Sequence, residues 1–155
     1  MTHATLPIYI DMDGTIADFY GAPNALKRFE HERDFFYNLK PLEKNLQAVR
    51  NAIAHGYNVY IITASPNFKA DSDKMKWLSR YLSELKEGHL IITRIGDNKL
   101  EAMPTESGVL FDDYGKNCRE WCANPQNRAV KVRQDGDIAI GLQALKVLKE
   151  QYLNS

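Results

Sequence analysis

The chain has 155 residues, 44% hydrophobic and 26% charged, a composition that supports one packed domain and excludes a disordered or low-complexity chain. Its 20 Lys and Arg residues balance 20 Asp and Glu, so the overall field that a nucleic-acid polymer requires is missing. No apolar run approaches the ~20 residues of a membrane span, and the opening MTHATLP lacks the basic and apolar segments of a secretory leader, so a cytoplasmic protein without membrane contact is expected.

Residues 6–10, LPIYI, form an apolar run that stops abruptly at Asp11, the pattern of a strand buried on both faces of a parallel sheet. Asp11 and Asp13 stand two apart, so in extended backbone both can aim at one small volume beyond the strand's end. Two like charges there call for a positive partner. A hard divalent cation with oxygen ligands, Mg2+, answers that need and leaves positions for a substrate phosphate. Gly14 then permits a tight reversal without a Cβ penalty. Residues 18–42 read as a small helical cap insert, carrying the helical stretch ALKRFEHER and the aromatic cluster Phe35, Phe36 and Tyr37. Those rings either fill the space under the cap or meet a ligand. Residues 43–55 then place Leu46, Val49, Ile53 and Ala54 at helical spacing, with Gly56 as the stop.

A second apolar strand, residues 57–62, ends in Thr63-Ala64-Ser65-Pro66. A hydroxyl at a strand's end, followed by small residues and open backbone amides, suits phosphate oxygens, which makes Thr63 and Ala64 candidate phosphate binders. Residues 71–85 predict a helix burying Met75, Leu78, Leu82 and Leu85, with Trp77 and Tyr81 flanking that face. A short strand at 89–93 leads into a loop in which Lys99 is the candidate cation for a transferring phosphoryl group, with Arg94 its competitor. Residues 108–114, GVLFDDY, repeat the first strand's logic, apolar residues followed by the adjacent carboxylates Asp112 and Asp113. A helix at 116–124, an edge strand at 128–133 and a helix at 138–153 complete the chain. Strands alternating with helices throughout predict an α/β fold, a Rossmann-like parallel sheet with helices on both faces and ligands at the strands' carboxyl ends. Cys118 and Cys122 fit neither a CxxC redox pair nor a zinc knuckle and are expected as reduced thiols.

The run Asp11-Met12-Asp13-Gly14-Thr15 behind a hydrophobic strand resembles the first motif of the haloacid dehalogenase superfamily. Thr63, Lys99 and the Asp112-Asp113 pair follow in the order of that superfamily's later motifs. Within it, the segments DMDGTIADF, FFYNLKPL, ITASP, TRIGDNK and LFDDY resemble those of the 5′(3′)-deoxyribonucleotidase family, the cytosolic type C 5′-nucleotidases. The resemblance implies a magnesium-dependent phosphatase acting on nucleoside monophosphates, with Asp11 as the phosphate-accepting nucleophile and Asp13 protonating the leaving alkoxide and then activating water. It further implies Thr63, Ala64 and Lys99 on the phosphate, Phe36 on the substrate, and Asp11, Asp13, Asp112 and Asp113 around the metal, one of the last two coordinating the ion and the other anchoring Lys99 or a metal-bound water. A phosphatase or phosphotransferase for another small metabolite, such as a sugar phosphate, is the alternative, and a non-catalytic phosphate-binding module is the reading from another class. The expected partner is a small phosphate monoester; the sequence leaves a homodimer open.

Overall fold

The computed structural model describes residues 6–153. Five strands, β1 (Ile8–Ile10), β2 (Val59–Ser65), β3 (Leu90–Arg94), β4 (Val109–Asp112) and β5 (Arg128–Lys131), form one wholly parallel sheet in the order β3-β2-β1-β4-β5. The helices are α1 (Ala25–Arg28), α2 (Glu43–Ala54), α3 (Phe68–Tyr81), α4 (Gly115–Trp121) and α5 (Asp137–Leu153), with a 3-10 turn at Lys99–Ala102.

Strand alternation divides the core in two. Ile8, Ile10, Val59, Ile61 and Phe111 face a large cluster with Leu46, Val49 and Ala52 of α2, Trp77 and Leu78 of α3, and Ile138 of α5. Tyr9, Ile62 and Leu110 face the other way, toward Trp121 of α4 and Leu100 and Ala102 of the 3-10 turn. Helices therefore cover both faces, as the apolar strands require, but unequally. On the thinner side aromatic rings supply the bulk: Tyr9 stacks on Tyr60 at 4.9 Å and Tyr60 on His89 at 4.1 Å. Because β2 and β4 flank β1 on opposite sides, the chain's winding reverses there, and the crevice beyond the carboxyl ends of β1 and β4 is where such sheets bind ligands. Asp11 and Asp112 stand at that point.

Residues 18–42 connect the turn after β1 to α2, and this segment is closed at its neck by Asp18 N–H donating to the Lys40 carbonyl at 2.8 Å and Leu42 N–H to the Ile16 carbonyl at 2.7 Å. Its helical content is less than the charge pattern predicts, a single turn at Ala25–Arg28. Aromatic packing holds it instead: Phe19, Phe29, Phe35 and Phe36 meet edge to face or stacked at 5.1–6.4 Å. Two other boundaries differ in ways that matter for the site. Strand β2 runs on through Thr63 to Ser65, since its pairing with β3 continues to Ser65 opposite Arg94. Helix α3 begins at Phe68, with the Asn67 side chain accepting from Ala70 N–H at 2.9 Å. Its buried stripe is Ala70, Asp73, Lys74, Trp77 and Leu78, and Met75, predicted inward, is 53% exposed. In α5, Ile138 is buried and Leu142 and Leu145 pack on the core, whereas the predicted contacts of Leu148 and Tyr152 lie outside the described side chains. Among the described residues no helix is long and apolar enough to cross a membrane.

Candidate active site

The site grows from the ends of β1 and β4. Asp11 leaves β1 with its amide donating to the Phe111 carbonyl at 2.9 Å, which sets the first carboxylate beside the last residue of β4. Gly14 turns the chain with φ +80, and a Cβ there would stand 2.4 Å from Asp113 Oδ2. Only glycine provides both the left-handed backbone and that room. The Thr15 hydroxyl then donates back to Asp11 Oδ2 at 3.2 Å and toward Asp113 Oδ1 at 3.5 Å.

Lys99, at the start of the 3-10 turn and 3% exposed, bridges two of the carboxylates. Its Nζ lies 2.8 Å from Asp11 Oδ1 and 2.8 Å from Asp112 Oδ2. Burial disfavours its charge, but Asp11 and Asp112 outweigh that and raise its pKa. Burial likewise works against Asp11 and the Lys99 ammonium overrides it, holding the carboxyl below the usual range. Asp112 is otherwise taken up by the protein, accepting from Tyr114 N–H at 2.9 Å and Asn117 Nδ2 at 3.0 Å. For Asp113, burial, then the charge of Asp11, pushes the carboxyl up to about 9. The adjacent pair thus divides, Asp112 anchoring Lys99 and Asp113 facing the open side. Arg94, the competing cation, is held on the surface by Asp71 through two bonds of 2.9 and 2.8 Å and does not reach Asp11.

Oxygens of Asp11, Asp112 and Asp113 all lie within 4.8 Å of one another. Three hard oxygen donors with one cationic partner among them fit a magnesium-type ion, and the under-compensated Asp113 carboxyl is the feature that such an ion relieves. The side chain of Asp13 is not part of this group. It turns to a residue that the sequence reading missed, Lys74 of α3, whose Nζ sits 2.6 Å from Asp13 Oδ2, 2.7 Å from Thr63 Oγ1 and 2.7 Å from the Ala64 carbonyl. Burial raises the Asp13 pKa and Lys74 offsets this only in part. Its second oxygen, Oδ1, is buried without a hydrogen-bond partner among the described residues. Thr63 and Ala64 therefore do lie with Asp13, joined to it through a lysine. A lysine at position 74 in the otherwise apolar spacing 70, 74, 77, 78 is the available signal, and a helix taken to begin at residue 71 hides it.

The aromatic cluster requires a correction. Phe35 and Phe36 are 3% and 2% exposed, interlocked with Phe19 and Phe29, so Phe36 presents no face to a substrate. Its ring instead lies 4.5 Å from Lys74 Nζ. A second buried polar residue, Asn45, also escaped notice. Its Nδ2 donates to the Thr15 carbonyl at 2.9 Å while its Oδ1 accepts from Gly136 and Ile138 N–H groups at 2.9 and 3.1 Å, tying the turn after Asp11 to α2 and α5. The cysteines are free, as expected, and burial pushes the Cys118 thiol up to about 11.

Comparison with known proteins fits this geometry. Among solved structures, a chain of the Pnkp1/Rnl/Hen1 RNA repair complex superposes with a TM-score of 0.62 at 17% identity, over 82% of this chain and 42% of that one; this chain spans less than half the length of that relative. The HAD domain of the effector protein Lem4 from Legionella pneumophila matches with a TM-score of 0.53 at 16% identity, over 95% of this chain and 94% of that one. A haloacid dehalogenase-like hydrolase from Burkholderia xenovorans matches with a TM-score of 0.54 at 16% identity, over 82% of this chain and 81% of that one. At such identities these likenesses establish a haloacid dehalogenase-like fold. None of the curated proteins matches the chain in sequence. The model of the family described as 5′ nucleotidase, deoxy (pyrimidine), cytosolic type C protein matches residues 22–132, from the cap insert through the Lys99 turn and both β4 carboxylates, and with the DMDGT turn set against those same residues in the fold, the chain belongs to that family.

Proposed function

We propose that this protein is a magnesium-dependent phosphatase that hydrolyses nucleoside 5′-monophosphates, preferentially deoxy, through a phosphorylated Asp11. The observation that carries this reading is the placement of Lys99 between Asp11 and Asp112 at the winding reversal of the sheet. Asp11 is kept ionised by Lys99, as a nucleophile toward phosphorus must be. Its Oδ1 is engaged by Lys99, and Oδ2 accepts the weaker Thr15 bond, so Oδ2 is the attacking atom. Asp113, with Asp11 and Asp112, would hold the ion, which when bound supplies charge neutralisation for the phosphoryl oxygens. Thr63 donates its hydroxyl to those oxygens. Asp13, whose side chain is 21% exposed, gives a proton to the departing alkoxide and takes one from the water that regenerates Asp11.

Since the Phe35 and Phe36 rings are interior, the organic part of the substrate meets other groups. Tyr20, 69% exposed, has a ring carbon 2.9 Å from the position of a Gly14 Cβ and so lies over the catalytic turn, where a base or sugar carried by the phosphate would pass. The test is a panel of deoxynucleoside and ribonucleoside monophosphates, sugar phosphates and p-nitrophenyl phosphate with magnesium or chelator, applied to the parent and Asp11→Asn. Turnover is expected on nucleotides, to vanish with chelator, to return with magnesium and to be lost in the folded variant. Near-parental turnover by Asp11→Asn would falsify the nucleophile assignment, and a preference for sugar phosphates would reject the nucleotide.

A further inference from the structure

Lys74 is fully enclosed, with 0% of its side chain exposed. An ammonium has three N–H groups, and here three acceptors consume them: Asp13 Oδ2 at 2.6 Å, Thr63 Oγ1 at 2.7 Å and the Ala64 carbonyl at 2.7 Å. The Phe36 ring closes the remaining side at 4.5 Å. No N–H is left for a substrate oxygen, so this lysine acts on the reaction through its partners.

We propose that Lys74 is a positioning residue of the phosphoryl-transfer site, fixing the acid-base carboxylate Asp13 and directing the Thr63 hydroxyl proton toward the phosphate. The inference rests on the hydrolase reading above. Lysine only donates, so Thr63 Oγ1 is the acceptor in their bond, and the hydroxyl's own proton must point elsewhere. No other hydrogen bond is made by that hydroxyl among the described residues, which leaves its proton for a ligand. For Asp13 the grip is one-sided. Oδ2 is held and Oδ1 has no hydrogen-bond partner among the described residues, so the carboxyl is fixed through one oxygen while 21% of the side chain stays exposed. The two lysines then have separate tasks: Lys99 serves the nucleophile and the β4 carboxylates, and Lys74 serves the acid and the phosphate-binding hydroxyl. Phe36, at the base of the cap insert, ties the insert's packing to this second lysine.

The test compares Lys74→Met, Thr63→Val and the double variant, on an alkyl phosphate and on p-nitrophenyl phosphate with magnesium, with inorganic phosphate as inhibitor and a thermal melt to verify folding. A nitrophenolate leaves without protonation, whereas an alkoxide needs the acid, whose contribution is typically ~10²–10⁴-fold. Lys74→Met is therefore expected to lose at least ~10-fold more kcat on the alkyl ester than on p-nitrophenyl phosphate. It should also raise KM and weaken phosphate inhibition on both, and the double variant should raise KM no further than Thr63→Val alone. Equal losses on both esters with KM unchanged, in folded protein, overturn the inference. Should Lys74→Met fail to fold, Lys74→Gln, whose two amide N–H groups serve at most two of the three acceptors, should show the same selective loss on the alkyl ester at smaller size, and equal losses on both esters overturn the inference there too. A parent protein that hydrolyses neither ester overturns the hydrolase reading itself, an outcome distinct from parent activity with an indifferent Lys74→Met.

Discussion

Replacing Lys99 with Met keeps the aliphatic stem and removes the ammonium that sits 2.8 Å from both Asp11 and Asp112. All three side chains are at least nine-tenths enclosed, at 3%, 10% and 0% exposure, so water cannot take over the missing charge. Removing one partner of such a buried pair typically costs about 3–5 kcal/mol, because the surviving carboxylates face each other uncompensated. Against a total stability of about 5–15 kcal/mol for a domain, and at about 2–4 °C per kcal/mol for a chain of this size, the melting temperature should fall by about 6–20 °C. The exposed pair between Arg94 and Asp71 is the internal control, since Arg94→Met should cost about 1 kcal/mol or less. Thermal unfolding followed by circular dichroism, with chelator and with magnesium, measures both. Magnesium should raise the melting temperature of Lys99→Met more than that of the parent, because an ion bound by the folded state then provides the only strong positive charge among the three carboxylates. A Lys99→Met protein melting within about 2 °C of the parent in chelator would refute the claim that the ammonium holds these carboxylates together.

Burial, with Asp11, pushes Asp113 up to about 9 and Asp112 up to about 6, both from an ordinary 3.8. Carboxyls with raised folded values bind more protons folded than unfolded, so their stabilising contribution is complete below about pH 4 and is lost as pH rises toward 9. In chelator the melting temperature should therefore drop between pH 5 and 8, and saturating magnesium should flatten that slope; identical slopes with and without the ion would count against the three-carboxylate site. Phe35→Ala empties part of the aromatic interior of the insert and should destabilise by about 3–5 kcal/mol. Being enclosed, it should leave the ratio of nucleotide to p-nitrophenyl phosphate turnover unchanged in folded protein, and a selective loss on nucleotides would return the cluster to the binding surface.

The parts of this protein fixed by short-range pattern were legible in its sequence. A strand buried on both faces must be continuously apolar, and where LPIYI and GVLF give way to carboxylates those carboxylates have no place but the sheet's edge. The alternation of such strands with helices then determined a parallel sheet with its chemistry at the carboxyl ends, and the resemblance of the segments holding Asp11, Asp13, Thr63, Lys99 and the β4 pair to the superfamily's motifs marked the order of the site. Tertiary structure alone decided which charges meet. Asp112 and Asp113 are neighbours in sequence, yet one anchors Lys99 and the other faces outward, because successive side chains at a strand's end point opposite ways and only the sheet's surroundings say which way is in. The Phe35 and Phe36 rings could have lined a pocket or filled an interior, and the closure of the insert's neck against Ile16 and Asp18 placed them inside. Lys74 shows the limit most clearly: a lysine is ordinarily a surface residue, and it becomes an interior one here only because Asp13 from the turn after β1 and Thr63 and the Ala64 carbonyl from β2 converge on a single ammonium.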